Sequence, residues 1–441
     1  MTSPVLVREV INRVERFLRG EFNVLDRRSR ENAVILYYVS EIMRYWNKLN
    51  FALKKTLRAL KSKMPSNPTK KASLFYCAYR ILREQATNEN LSEELASIIN
   101  LFRGSGFNEN LFTVIDRLHT FSWKISLKTK SAAEKLSILE AVPSFFVDRL
   151  KKVMSLEFLE KNLAVMNRSG QEESFFVHAS RSISDVLNLC FMYHLQEAIK
   201  ERDTLVKEDD NGSNLSSVQG KFKSQIISSE LCDSKDLIIL DKASAAVIHV
   251  LAPKPGDLIY DACAAPGIKS LLASRESEKG ALIISGDFSS TRTQEMKKLL
   301  QSSEINNIHP INADGISPPL RKNVKFDKIL MDAPCTGSGA FSRSPELKWR
   351  QNEQFLYQNV TLQAKLLETA LELLKKGGIL VYSTCSLYLE EGEMQVSRIL
   401  DRVDPMEMPK WMSKSYEING KTIPGTARLF PAIQGTQGFF I

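Results

Sequence analysis

The sequence predicts two architectures in one chain: an all-α bundle over about the first 160 residues, then an α/β domain with a mostly parallel sheet. Three observations carry this expectation. Apolar residues recur at helical spacing through the first part, and no alternating strand pattern interrupts them. From about Leu237, short apolar runs alternate with amphipathic stretches, the βαβα order of a parallel sheet covered on both faces. The strongest of those runs, Gly378-Ile379-Leu380-Val381-Tyr382-Ser383-Thr384-Cys385-Ser386, is bounded by glycine and too short for a helix.

The helices are read in order. Val7, Val10, Ile11, Val14 and Phe17-Leu18 form the first apolar stripe. A second helix is expected from Arg28 to Trp46 and a third from Phe51 to Lys63, with Pro65 and Pro68 breaking the chain. Further helices fit Ser73–Gln85, Ser92–Phe102 and Glu109–Phe121. Ala141-Val142-Pro143-Ser144-Phe145-Phe146-Val147 opens another, and Phe175-Phe176-Val177 reads as a strand. Asp203 to Lys221 is polar and reads as an exposed, partly disordered loop. No internal repeat is visible.

In the second part the expected strands are Asp257–Asp261, Ala281–Ser285, Ile308–Ile311, Lys328–Asp332 and Ile379–Thr384. The expected helices are Lys269–Glu276, Arg292–Ser302, Glu353–Lys375 and Glu391–Val403. Gly435–Ile441 reads as a last edge strand.

Bulk properties narrow the function. No apolar run approaches the roughly 18–20 residues of a membrane helix. The stretch Met1-Thr2-Ser3-Pro4 opens no apolar signal region, so the expectation is a soluble, cytoplasmic chain. The six cysteines are Cys77, Cys190, Cys232, Cys263, Cys335 and Cys385. They form no C-x-x-C pair, so neither a disulfide framework nor a zinc site is expected. The net charge of +9 is uneven. Residues 1–170 hold 29 Lys and Arg against 17 Asp and Glu, a net +12, and the remainder is −3. A basic module beside a near-neutral one suggests that the first holds a polyanion and the second does chemistry.

Ligands of open α/β sheets bind at the carboxyl ends of strands. Asp261-Ala262-Cys263-Ala264-Ala265-Pro266-Gly267 lies between a strand and a helix, where small residues let the backbone approach a ligand. The stretch is not G-x-G-x-x-G and has no Walker lysine pattern, which counts against a dinucleotide or ATP site. Asp287 ends the next strand and Asp314 follows the third. Three acidic residues at successive strand ends suit a nucleoside cofactor, S-adenosylmethionine. Asp332-Ala333-Pro334-Cys335 and Ser383-Thr384-Cys385 add two thiols and a carboxylate. A thiolate can add to C6 of a cytosine and make C5 nucleophilic, and Asp332 suits the N3/amine edge of that base.

In this order, D-A-C-A-A-P-G-x-K, G-D-F-S, A-D, D-A-P-C-T-G-S-G and Y-S-T-C-S-L resemble the Sun/Fmu-type RNA cytosine-5 methyltransferases, most closely the RsmB branch. Arg428-Leu429-Phe430-Pro431 and Gly438-Phe439-Phe440 extend the match over residues 236–441. The resemblance implies a Rossmann-like class I methyltransferase domain at 236–441, a connecting, RNA-positioning region at 141–235 and an all-α NusB-like domain at 1–140. Leu25-Asp26-Arg27-Arg28 resembles the entry to such a domain. It further implies a cofactor loop of Cys263, Ala264, Ala265, Pro266, Gly267, Ile268 and Lys269, completed by Asp287, Asp314 and Asp332. Cys385 is the implied nucleophile, and Cys335 assists product release.

The match departs at Ile268, where the branch has a second glycine, and in the absence of a clear upstream R-V-N segment. Phe176-Val177-His178-Ala179-Ser180 stands about there. Arg343, Lys348, Trp349 and Arg350 are candidates to grip phosphate or stack a base, with a core position the equal alternative for Trp349. The implied partner of this monomer is RNA, ribosomal first and transfer RNA as the alternative, with no metal and no membrane. Two other readings are a DNA cytosine-5 methyltransferase acting through Cys335 and an RNA-binding assembly factor without turnover. Against the first, Thr336-Gly337-Ser338-Gly339 lacks the E-N-V such enzymes place there.

Overall fold

Helical periodicity in the first part of the sequence becomes one packed core. The computed structural model describes residues 4–21, 33–102, 107–168, 174–179, 199–202, 215–219, 237–303, 305–321 and 323–441. It divides into two units: Met1–Glu160 with Ser344–Gln351, and Lys161–Arg343 with Asn352–Ile441.

The first unit is helical. Its elements are α1 (Pro4–Leu18), α2 (Ala33–Arg44), α3 (Trp46–Ala59), α4 (Pro68–Leu82), α5 (Asn88–Leu101), α6 (Phe107–His119), α7 (Trp123–Ser126), α8 (Ala132–Leu139), α9 (Ser144–Leu150) and the start of α10 (Leu156–Met166). The expected stripe of α1 is buried: Val7, Val10, Ile11, Val14 and Phe17. Trp46 stacks on Phe75 with ring centroids 3.4 Å apart. Pro68 does not sit in a linker. It takes the first position of α4, where its missing N–H costs nothing, and the Asn67 side chain accepts from Lys70 N. Ser131 and Glu134 close a capping box on α8. Leu25–Arg28 lies outside the described residues.

The short 3-10 helix Pro345–Arg350 completes this unit. Trp349 Nε1 donates to Met43 O at 2.8 Å, and Lys348 Nζ donates to Arg44 O at 3.0 Å and Glu140 O at 3.4 Å. This corrects the expectation of a phosphate-gripping Lys348. Its side chain is fully buried, and burial pushes the ammonium well below the usual lysine range. Trp349 is an anchor in the helical core. Arg343 and Arg350 are exposed.

The second unit opens with a four-stranded antiparallel sheet of β1 (Ser174–Ala179), β2 (Ile199–Arg202), β3 (Leu215–Gln219) and β4 (Leu237–Leu240), in the order β2-β3-β1-β4. The strand expected at Phe175–Val177 is part of β1. β3 corrects part of the expected loop, because Leu215–Gln219 pairs with β1. Residues 203–214 and 220–221, like Cys190 and Cys232, lie outside the described set.

The central sheet has five parallel strands: β5 (Leu258–Asp261), β6 (Leu282–Asp287), β7 (Ile308–Asn312), β8 (Phe326–Asp332) and β9 (Leu374–Ser383), ordered β7-β6-β5-β8-β9. Four helices accompany them: α11 (Lys242–Leu251), α12 (Ile268–Glu276), α13 (Ser290–Ser302) and α14 (Glu353–Leu373). This is the expected α/β architecture, and the parallel register brings the carboxyl ends of the strands to one edge. Asp332 stands opposite Ser383.

The helix expected at Glu391–Val403 is only a 3-10 turn at Leu389–Glu391 and α15 (Glu393–Ser397). Gly392 lies outside the helical region at φ −123° and ψ −104°, and the side chains of Glu391, Glu393 and Gln395 are buried. The chain then forms β10 (Ser413–Lys414), β11 (Glu417–Ile418), β12 (Lys421–Thr422), β13 (Ala427–Leu429), α16 (Pro431–Gln434) and β14 (Phe439–Phe440). β14 pairs with β13, and Phe440 bridges Thr384 just past β9. Gly438 N donates to Gly339 O at 2.9 Å, an approach with no room for a side chain. A Cβ on Gly339 would fall 2.0 Å from Gly438 O.

Candidate active site

The β5 and β6 ends form one half of the site. Asp261 is buried at the end of β5, where its Oδ2 accepts Ser270 Oγ at 2.6 Å. Oδ1 is buried and has no partner. Burial pushes this carboxyl up to about 7. The loop after it is shaped by its backbone: Ala264 N donates to Gly286 O at 2.8 Å, and Ala265 N to Asp287 Oδ2 at 3.2 Å. The Ala265–Pro266 peptide is cis. Gly267 caps α12 at φ +102°, a conformation that favours glycine, and an added Cβ would lie 2.9 Å from Met296 Cγ. Ile268, the departure from the RsmB pattern, packs against the hydrophobic core of this unit. Cys263 is half-buried, and burial pushes its thiol up.

Asp287 is buried and accepts Ser289 N at 3.0 Å as well as Ala265 N. Arg292 Nη1 pairs with it at 3.4 Å. Ala313 N donates to Asp287 O, which links the β7 end to the β6 end. Asp314 is exposed, and its Oδ1 accepts Ile316 N at 2.9 Å.

Asp332 joins this half to the other. Its Oδ2 accepts Lys269 Nζ at 2.7 Å and its Oδ1 accepts Ser383 Oγ at 3.0 Å. Burial alone would lower the Lys269 ammonium, but the Asp332 and Asp261 charges outweigh it and the pKa rises.

The loops after β8 and β9 form the other half. Cys335 Sγ and Cys385 Sγ are 3.2 Å apart, although 50 residues separate them in sequence. Both thiols are half-buried and neither is in a disulfide. The hydrogen bond with Cys385, and then burial, pushes the Cys335 thiol well above the usual range. Backbone bonds set the two loops side by side: Ala333 N to Ser383 O at 2.8 Å and Gly339 N to Cys385 O at 3.0 Å. Ser338 Oγ meets Ser386 Oγ at 3.0 Å and accepts Leu387 N at 2.9 Å.

Sequence reasoning missed the buried charges beneath these loops. Arg428 and Glu393 pair at 2.7 Å, both fully buried, and Arg428 also donates to Ser386 O and Tyr388 O. Glu391 accepts from residues next to both cysteines. One signal was available: Glu390, Glu391 and Glu393 cluster directly after the apolar Leu387-Tyr388-Leu389, just past the Cys385 motif. Among the described residues no group of three His, Cys, Asp or Glu could hold a metal ion. No described helix is long and apolar enough to cross a membrane.

Taken together, the strand ends carry a small-residue loop with an unpartnered buried carboxylate oxygen and a pair of thiols 3.2 Å apart. Lys269, just after that loop, pairs with Asp332, three residues before Cys335. Such an arrangement can hold a nucleoside and deliver a sulfur nucleophile.

Comparison with known proteins adds three findings. Residues 248–441 match the family described as 16S rRNA methyltransferase RsmB/F. A Synechocystis protein named as a probable ribosomal RNA small subunit methyltransferase B is 34% identical over 210 residues, 46% of each chain. The chain thus spans about half the length of the curated relatives it matches. Among solved structures, that of PH0851 covers 100% of this chain and 98% of its own at TM-score 0.76 and 21% identity. A methyltransferase homolog from Pyrococcus horikoshii covers 71% of this chain and 97% of its own, at TM-score 0.57 and 26% identity.

Proposed function

We propose that this chain, whose residues 248–441 match the RsmB/F methyltransferase family, methylates C5 of a cytosine in RNA, small-subunit ribosomal RNA first among candidates. The observation that carries the reading is the 3.2 Å approach of Cys335 and Cys385 beside Asp332. The cofactor is S-adenosylmethionine. The residues fit it: Asp261 Oδ1 is a buried acceptor without a partner, at the edge of a loop too small-sided to exclude a ligand. Cys263, Ala264, Ala265, Pro266, Gly267 and Lys269 would line it, with Ile268 contributing backbone while its side chain packs on the core. Asp287, Asp314 and Asp332 would complete the nucleoside contacts. When bound, the cofactor supplies an electrophilic methyl group.

The chain's own residues do the rest. Cys335 and Cys385 share a hydrogen bond in which either sulfur can donate, and the family resemblance assigns the attack to Cys385, which reacts as the thiolate. That thiolate adds to C6 of the cytosine, and C5 becomes nucleophilic. Asp332 has lone pairs left beyond its bonds to Lys269 and Ser383, and takes the exocyclic amine of the base. Once C5 has gained the methyl group, it loses its proton to water and the C6–sulfur bond breaks, which restores the ring and the Cys385 thiolate, with Cys335 assisting release. The target base must leave its stack to reach the thiols. The net +12 of residues 1–170 supports the helical part as the polyanion grip, with affinity falling steeply with salt.

The test is a pair of substitutions, assayed on small-subunit RNA with labelled cofactor. C385A should abolish both methylation and any covalent RNA adduct. C335A should accumulate the adduct. The reverse pattern would exchange the two roles, and wild-type protein that leaves every RNA cytosine unmodified would overturn the reading.

A further inference from the structure

Glu391 lies six positions beyond Cys385 and is fully buried. Its Oε1 accepts Thr336 N at 2.9 Å and Gln363 Nε2 at 3.0 Å. Its Oε2 accepts Thr336 Oγ1 at 2.5 Å and Ser386 Oγ at 2.6 Å. Thr336 follows Cys335, and Ser386 follows Cys385. Gln363 Nε2 also donates to Pro334 O at 2.8 Å. The backbone carbonyl of Glu391 accepts Tyr382 Oη at 2.8 Å and Thr384 Oγ1 at 3.2 Å. One residue is therefore tied, directly or through Gln363, to the chain on both sides of each cysteine.

We propose that Glu391 is the positioning residue of the thiol pair: its carboxylate holds the Cys335 and Cys385 loops at the separation the reaction needs. The inference rests on reading those two cysteines as the reacting groups. A carboxylate suits the task because it offers about four acceptor sites on two rigidly spaced oxygens. All four of its donors come from the thiol loops or from the helix α14 residue that grips one of them. An amide at this position would present one oxygen and an NH2 group, so two hydroxyls could no longer both donate to the second atom. Burial pushes the Glu391 carboxyl up, and the bonds from Ser386, Thr336 and Gln363 pull it down. Its nearness is also among the influences that raise the Cys335 thiol, after the Cys385 hydrogen bond, burial and the Cys385 charge.

The experiment uses the full chain as wild type, Glu391→Gln and Thr336→Val. The first readout needs no RNA: the rate at which diamide, itself reduced, joins Cys335 to Cys385, followed by mass spectrometry of alkylated thiols. The second is kcat and KM on a small-subunit ribosomal RNA transcript. E391Q should melt cooperatively, join the thiols and turn over about 100-fold more slowly, with KM for RNA little changed. T336V, which removes one donor and keeps the amide, should lose about tenfold in both rates. A folded E391Q with wild-type rates overturns the proposal. If E391Q does not fold, wild-type rates in T336V overturn it instead. Slowed thiol joining in a chain whose wild type methylates no RNA would sustain the positioning role and sink the functional reading. Intact methylation with unchanged thiol joining would do the reverse.

Discussion

The two halves of the candidate site are built by opposite means. Around β5 and β6, carboxylates shape backbone: Asp287 takes the N–H groups of Ala265 and Ser289, and Asp261 takes the Ser270 hydroxyl. One oxygen of Asp261 is left without a partner. Around β8 and β9, buried charges are fully engaged: Glu391 receives four donors, and Arg428 is locked between Glu393, Ser386 and Tyr388. The half expected to receive a small molecule keeps an open valence. The half expected to carry out covalent chemistry commits the buried charges of Glu391, Glu393 and Arg428 to tying its loops together. A thiol pair needs geometric precision more than it needs free acceptors, because small misplacements of reacting atoms are costly.

The sharpest way to break this contrast is at Arg428. R428A leaves the Glu393 carboxylate buried and unpaired, and should cost about 3–5 kcal/mol of stability in urea unfolding. Removing both charges as R428M/E393L should recover much of that loss. If R428A costs under about 1 kcal/mol, the thiol half is not held by its buried charges.

The next effect is on pH dependence, in the other half. Asp261 has its carboxyl raised from 3.8 to about 7, first by burial. The native state then holds a proton that the unfolded chain has released, so stability falls as pH rises between about 4 and 7. D261N removes this titration. The difference in unfolding free energy between wild type and D261N should change by on the order of 2–4 kcal/mol across that window, with the variant gaining toward neutral pH. A pH-independent difference would show that Asp261 is ionised in the native state throughout.

The smallest effect is expected at Gly267. G267A forces a side chain to φ +102° and toward Met296, and should cost about 1–2 kcal/mol. Thiol joining between Cys335 and Cys385 should proceed at the wild-type rate, since the variant touches only the loop half. Altered joining would mean that the two halves are mechanically one.

Much of the fold could be read from the sequence because the signals are local. Val7, Val10, Ile11 and Val14 mark a helix without reference to anything distant, and Ile329 to Asp332 marks a strand with its own terminator. The approach of Cys335 to Cys385 was legible for a related reason: each follows closely on a strand end, and neighbouring parallel strands put their ends together. The misses are long-range. Glu391 was legible only as the start of a helix and Arg428 only as part of a motif, because the partners that bury their charges lie in segments the sequence does not point to. The same blindness put Lys348 on an RNA surface, because its acceptors at Arg44 and Glu140 lie more than 200 positions upstream. The long helix expected after Glu391 failed because Gly392 and three inward-turned polar side chains override the periodicity.

The Pro345–Arg350 turn also sets a timetable. The carbonyls of Met43, Arg44 and Glu140 receive their Trp349 and Lys348 donors from a segment synthesised long after them. A nascent chain carrying only α1 to α9 would lack all three of these hydrogen bonds, so this part of the helical core is complete only once residues 345–350 have been added.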